Sequence, residues 1–252
     1  MLMEDKSRSD AGDYAVVTEK LRKEFDEIVA VRDLDLRVRK GVLYGMIGPN
    51  GSGKTTTIKV LMGLQKPTSG SGSILGERTP VKRNIARIGY MPQDMAVYND
   101  LSVHENLQLF AELYSVDGKV FAKREKELLD MVDLAKRKDS SVSQLSGGMR
   151  HRASLICTLI HDPEVLFLDE PTVGVDPELR AGFWDYFSKL KKRGKTIILT
   201  THYMDEAFRC DVVGMMRGGR LIAEGSPEEL MRATSTKNLE EAFLAYSKGG
   251  KA

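Results

Sequence analysis

GPNGSGKT, residues 48–55, matches the pattern GxxxxGK[ST] at every fixed position. Val42–Ile47 in front of it reads as a buried strand. Behind it a helix is expected, with Ile58, Leu61 and Met62 on one face. Gly48, Gly51 and Gly53 let the backbone turn tightly, so that the loop through Asn50 and Ser52 can wrap its N–H groups around a phosphate chain. Lys54 brings a positive charge to the terminal phosphates, and the hydroxyl of Thr55 suits Mg2+. By average residue usage, the four fixed positions would match by accident in about one chain of this length per hundred. The strand before and the helix after are the setting this chemistry requires, and they decide the reading against a chance Gly-rich turn.

A second candidate anion site lies at residues 145–152, LSGGMRHR, just ahead of an apolar helical run. Ser146 is placed to cap the helix, and Gly147 and Gly148 strip side chains from its first turn. Exposed N–H groups at such an end favour a phosphate. Two helix starts with the same chemistry, nearly a hundred residues apart in one chain, need an explanation.

Acidic groups follow in Leu166-Phe167-Leu168-Asp169-Glu170-Pro171. The continuous apolar run Val165–Leu168 predicts a strand covered on both faces. Its end places the Asp169 carboxylate at the sheet edge, where it can hold Mg2+ directly or through water. Glu170 can orient or deprotonate an attacking water; without the phosphate loop it would read as a solvated loop residue. His202 sits just past the strand Thr196–Thr200, at the edge where such sheets meet their ligands, and an imidazole there can hydrogen-bond a γ-phosphate. Gln93 follows the strand-like IARIGYMP. Its amide both donates and accepts, so it can touch Mg2+ or water and release it, although by residue type alone it is an ordinary loop glutamine. His104, His151 and His161 have no comparable setting and read as surface or packing residues.

Composition sets the frame. The 252 residues are 41% hydrophobic and 29% charged, as in an ordinary globular protein. Thirty-eight basic and 36 acidic residues give a net charge of +2, which does not support a nucleic-acid partner. Cys157 and Cys210 form no metal or redox spacing, which fits a reduced, cytosolic compartment. The longest apolar run, Ala153–Ile160, is far short of the ~20 residues of a spanning helix. The polar start MLMEDKSRSDAGD carries no secretion signal, so the chain is expected not to cross a membrane by itself.

Along the chain, residues 1–13 and the terminal KGGKA are expected to be disordered. Short strands are predicted at Ala15–Thr18, Ile28–Val31 and the alternating Leu34, Leu36, Val38, with a turn at Lys40-Gly41. KPTSGSGS reads as a loop. ENLQLFAELY and AKREKELLDMV are helical in pattern and mark an inserted lobe over 94–150. A helix over 178–192, a hairpin around RGGR and a short helix from Pro227 complete the pattern. Trp184 and Tyr186 read as core packing.

With these pieces in place, the sequence resembles the ATP-binding cassette subunits of ABC transporters over roughly residues 14–230. GPNGSGKT resembles Walker A, Gln93 the Q-loop, LSGGM the signature, VLFLDE Walker B, VGVDP the D-loop and His202 the H-loop, in the family's order. LSGG discriminates, because generic P-loop proteins lack it. The resemblance implies an α/β fold: a P-loop NTPase core over 14–93 and 151–230, an N-terminal antiparallel β subdomain, an inserted α-helical subdomain over 94–150, and a helical tail over 231–252. It implies ATP and Mg2+ as ligands. Phe25 would stack on adenine, where the family more often has Tyr; Gly48, Asn50, Gly51, Ser52, Gly53, Lys54, Thr55 and Thr56 would hold the phosphates. Thr55, Gln93 and Asp169 would serve the metal, and Glu170, His202 and Gln93 catalysis. Met149 stands where the family more often has Gln, and Val173-Gly174-Val175 replaces the usual small residues before Asp176; neither removes a phosphate-touching group, so hydrolysis is expected to be intact.

The family also explains the second helix start. Its cassettes pair head to tail, so Ser146, Gly147 and Gly148 would serve the γ-phosphate held by a second cassette, with a homodimer expected and Asp176 at the seam. A nucleotide held between two surfaces favours the closed pair, and hydrolysis removes that preference. The expected partners are that second cassette and a separate integral membrane permease, which would hold the subunit at the cytoplasmic face of the membrane. The permease would meet the lobe near Met95–Leu101. The tail Thr236–Ser247 resembles cassettes that serve ABC-2 type export permeases, and no added regulatory domain is expected; export of a drug, lipid or glycan is expected. The alternative, a mechanochemical cassette of DNA repair or the ribosome, has less support. The 53 positions from Gln93 to Ser146 hold no coiled-coil arm, and the chain carries one cassette, not two. Adjacent Asp169-Glu170 and LSGG argue against a P-loop kinase or GTPase.

Overall fold

A computed structural model describes residues 12–249. The expectations for residues 1–13 and 248–252 therefore fall, apart from 12–13 and 248–249, outside the described residues. Two compact units divide the chain: Met1–Ile85 with Ile198–Ala252, and Ala86–Ile197. The expected α/β class holds, with one antiparallel sheet, parallel strand pairs elsewhere, and helices.

In the first unit, β1 (Tyr14–Phe25) and β2 (Ile28–Arg39) form a long antiparallel hairpin. The sequence predicts three short strands here. The difference lies in bulges: register shifts interrupt the pairing between Thr18 and Glu24, and Lys20 and Asp33 take positive φ. Bulges break strict alternation without ending a strand. The Gly/Ser run read as a loop is also a strand, β4 (Ser69–Ile74), paired to β1 and to β5 (Glu77–Arg78). Its glycines answer tertiary needs. At Gly70 φ is +76, and a Cβ would lie 2.1 Å from the Lys20 carbonyl oxygen. The sheet order is β2-β1-β4-β5.

The same unit contains β3 (Leu43–Ile47), every residue of it buried, followed by α1 (Lys54–Leu61). Ile58 and Leu61 are buried as expected. β3 runs parallel to β9 (Val212–Arg217), which turns back through Gly218 and Gly219 into β10 (Arg220–Gly225). Both turn glycines have positive φ, which is what a tight two-residue hairpin demands. β8 (Thr196–Thr201) carries the division between the units, and α6 (Met204–Ala207) follows it. α7 (Pro227–Thr234) starts from a Ser226–Glu229 capping box with Pro227 in its first turn, and α8 (Leu239–Gly249) forms the tail.

In the second unit, β6 (Ile88–Met91) and β7 (Val165–Asp169) pair in parallel. β7 is buried throughout, as its continuous apolar run predicts. Four helices accompany them: α2 (Val103–Leu113), α3 (Gly118–Met131), α4 (Gly147–Leu159) and α5 (Pro177–Lys192). Each has a side-chain cap, from Ser102, Asp117, Ser146 and Asp176 in turn. Such caps stabilise a helix start by about 1 kcal/mol each. Trp184 and Tyr186 are buried, as read from the sequence, and so is Cys157.

Candidate functional site

The phosphate loop joins the buried β3 to α1, and its shape is set by close backbone approaches. At Gly48 φ is +154; a Cβ there would lie 2.2 Å from the Met216 carbonyl oxygen and 2.8 Å from Ser52 Oγ. At Gly53 φ is +103, and a Cβ would lie 2.4 Å from the Ala30 carbonyl oxygen. The hairpin turn adds a brace, as Gly219 N–H donates to the Ser52 carbonyl at 3.1 Å and its own carbonyl accepts from Arg32 N–H at 2.7 Å. Asn50 and Gly51 are exposed at the tip, and Thr55 and Thr56 are half-buried in the first turn of α1.

Lys54 is only 5% exposed, and its Nζ donates to the carbonyls of Gly48 at 2.7 Å and Pro49 at 3.2 Å. The ammonium is thus turned into the loop it is meant to serve. Ser52 Oγ is buried and makes no hydrogen bond with the described residues. A buried hydroxyl without a partner is costly unless a ligand satisfies it, so this atom, with the inward ammonium, fits a bound phosphate chain. Phe25 closes β1 at the hairpin end and is 40% exposed. Lys23 Nζ lies 4.5 Å from its ring centroid. His202 follows β8 directly, exposed, with its ring centroid 4.1 Å from that of Tyr203.

Within the second unit, Asp169 ends β7 and is 0% exposed. Tyr90 on β6 senses it: burial first, then the charges of Asp169 and Asp94, push the phenol up to about 12. Glu170 follows, half-buried, in the left-handed region with φ +54. Gln93 Nε2 donates to Glu170 Oε2 at 3.4 Å, so two predicted site residues meet through their side chains. The second helix start is also as read. Ser146 Oγ accepts from Met149 N–H at 3.3 Å, and Ser146 and Gly147 are exposed. Gly148 sits so close to the loop after Glu170 that a Cβ would lie 2.8 Å from the Gly174 carbonyl oxygen. Asp176 caps α5, accepting from Leu179 N–H at 3.1 Å. That cap accounts for an aspartate here without any nucleotide.

Two backbone braces and three histidine pairings leave no motif in the sequence. Ala30 and Gly219 shape the phosphate loop through backbone atoms, which leave no side-chain signal. The three histidines read as surface or packing have specific partners. His104 Nδ1 lies 2.5 Å from Glu125 Oε1, which links α2 to α3. His161 stacks on Tyr114 with centroids 3.8 Å apart, and its Nε2 lies 3.1 Å from the Ile88 carbonyl oxygen. His151 faces the carbonyls of Pro171 and Glu170.

A lysine phosphate loop after a buried strand, an acidic strand end and a serine-capped glycine helix start together define an ATP-binding cassette, a class of ATPases. The chain belongs to the ABC transporter family, whose model matches residues 31–173. The Nod factor export ATP-binding protein I of Cupriavidus pinatubonensis is 43% identical over 215 residues, covering 84% of this chain and 66% of that protein. A probable multidrug ABC transporter ATP-binding protein of Escherichia coli, YbhF, is 35% identical over 240 residues, covering 92% of this chain and 42% of its own length. The chain thus spans about two thirds of the first and less than half of the second. Among solved structures, an ATP-binding subunit of an ABC transporter superposes with TM-score 0.87 at 27% identity, covering 92% of this chain and 99% of its own. The dimeric post-hydrolysis cassette MJ0796, bound to ADP and Pi, superposes at 0.77 with 26% identity over 84% of this chain and 98% of its own.

Proposed function

We propose that the chain hydrolyses ATP as one half of a head-to-tail pair of cassettes. The pair energises export of a drug, lipid or glycan through a separate ABC-2 type membrane permease, at the cytoplasmic face of the membrane. The observation that carries this reading is the capped start of α4. Ser146 and Gly147 stand exposed at the N-terminus of a 13-residue helix, where N–H groups and dipole favour an anion. The chain already has a complete phosphate loop, so this second start is assigned to the γ-phosphate held by a partner copy.

The remaining roles follow residue by residue. Phe25 stacks the adenine ring. In the first unit, the loop from Gly48 through Asn50, Gly51, Ser52 and Gly53 to Lys54, Thr55 and Thr56 wraps the phosphates. The Thr55 hydroxyl would help to hold Mg2+, and His202 would donate to the γ-phosphate. In the second unit, Asp169 and Gln93 carry the metal-directed donors, Glu170 takes the proton of the attacking water, and Asp176 lies at the seam. Bound Mg2+ supplies neutralisation of the charge that develops on the phosphate oxygens.

Residues 94–150 form the lobe that meets the permease. Met95 and Tyr98 there are 43% and 57% exposed, which suits a docking face. The relatives named for Nod factor export and multidrug transport support the export direction. Glu170→Gln is the test. It should keep ATP binding, stop turnover and run as a dimer on gel filtration with ATP. A monomer that binds ATP but does not pair would count against the shared site.

A further inference from the structure

His151 lies on α4, one turn beyond Gly147, and is 9% exposed. Its imidazole faces the backbone carbonyls of Pro171 and Glu170. Burial lowers its pKa, against the pull of those two carbonyls and the Glu170 charge, so the ring is neutral at pH 7 and has one N–H to give. Nε2 is buried without a hydrogen-bond partner among the described residues, a cost that an apolar side chain of similar size would avoid. The position therefore asks for more than packing.

Glu170 supplies the need. Its φ of +54 is a conformation that a non-glycine residue holds only where its surroundings impose it. Its carbonyl also accepts from Val173 N–H at 3.3 Å, so the turn after β7 is tied at the atom the imidazole faces. One turn back along α4, the bare backbone of Gly148 lies against Gly174, where a Cβ would come within 2.8 Å of the carbonyl oxygen. α4 thus meets the 170–174 turn at both ends of that turn.

We propose that His151 is a positioning residue for Glu170: it braces the left-handed backbone from behind and links the α4 helix start to the carboxylate of the same chain. The inference rests on the reading of Glu170 as the base. In a head-to-tail pair, the α4 start touches one nucleotide and Glu170 serves the other. The imidazole then connects the two sites through a single protomer.

The test compares His151→Leu and His151→Gln in the purified full chain, with Glu170→Gln as a parallel control. Leu fills the space without a donor; Gln restores one. In His151→Leu, kcat should fall about tenfold, since small misplacements of a reacting group cost one to two orders of magnitude. The KM for ATP should stay within about twofold, because uniform binding is untouched. His151→Gln should recover most of kcat, and the Tm of the two variants should agree. The proposal is overturned by an unchanged kcat in His151→Leu, by a loss that Gln does not rescue, or by a kcat loss that tracks Tm. Persistent turnover in Glu170→Gln would instead remove the base assignment, a different failure that this control reports separately.

Discussion

Acid should weaken this protein through His161, and the structure gives the size of the effect. The residue follows the C-terminal end of α4, stacked on Tyr114 and hydrogen-bonded to the Ile88 carbonyl. Burial, opposed by that hydrogen bond, lowers its pKa to about 4 from an ordinary 6.5. The sign follows from proton counting. Between these values the unfolded chain binds a proton that the folded chain refuses, so acid favours unfolding. The contribution is fully present above pH ~6.5, declines through the window and is lost below pH ~4. A shift of about 2.5 units corresponds to roughly 3 kcal/mol at most, reduced to about 2 by partial solvent access. Asp162, next in sequence, does not mimic this. Burial raises its pKa, but Arg124 and Lys195 outweigh that and hold it below its ordinary value, under the window. His161→Gln keeps a donor for the Ile88 carbonyl and does not titrate. Urea midpoints at about pH 7.5 and pH 4.5 should diverge in the native chain, and that divergence should shrink by about 2 kcal/mol in the variant. Equal pH slopes in the two proteins would refute the argument.

Other outcomes are expected at the nucleotide sites. Lys54→Ala should weaken binding of a fluorescent ATP analogue ten- to a hundredfold, the worth of about 1.5–3 kcal/mol from hydrogen bonds to a charged group; unchanged affinity would remove the loop assignment. Ser146→Arg should cut turnover about a hundredfold by blocking the anion end of α4. The same variant should leave nucleotide affinity of the dilute monomer intact, and a loss there would place the cap in cis. Gly48→Ala meets a positive φ and two atoms within 3 Å. It should lower Tm by several degrees, at about 2–4 °C per kcal/mol, read by differential scanning calorimetry.

Much of this was legible because some chemistry is local. Ser146 was placed to cap a helix, and it does so; the short helix read from Pro227 also forms. RGGR forms its hairpin because both glycines take positive φ. The continuous apolar run at 165–168 is a strand buried on every side. What escaped depended on contacts distant in sequence. SGSGS reads as a loop by every local rule, yet β1 recruits it as a strand, and the bulge at Lys20 admits only a bare α-carbon at Gly70. The partners of His104 and His161 lie 21 and 73 positions away. Such pairings leave no period or motif along the chain. Phe25 stood out only through resemblance, since an aromatic at a hairpin end is ordinary by itself.

The bracing of the phosphate loop bears on how the chain matures. Gly48 rests against Met216, Gly53 against Ala30 and Gly219, and Ser52 is tied to Gly219. Roughly 160 residues separate the cradle from the hairpin that buttresses it. A ribosome that has just released GPNGSGKT has therefore produced the letters of a nucleotide site without its scaffolding. The nascent polypeptide must wait for its final hairpin before ATP can act as a folding chaperone for it, and truncation upstream of that turn should abolish such help.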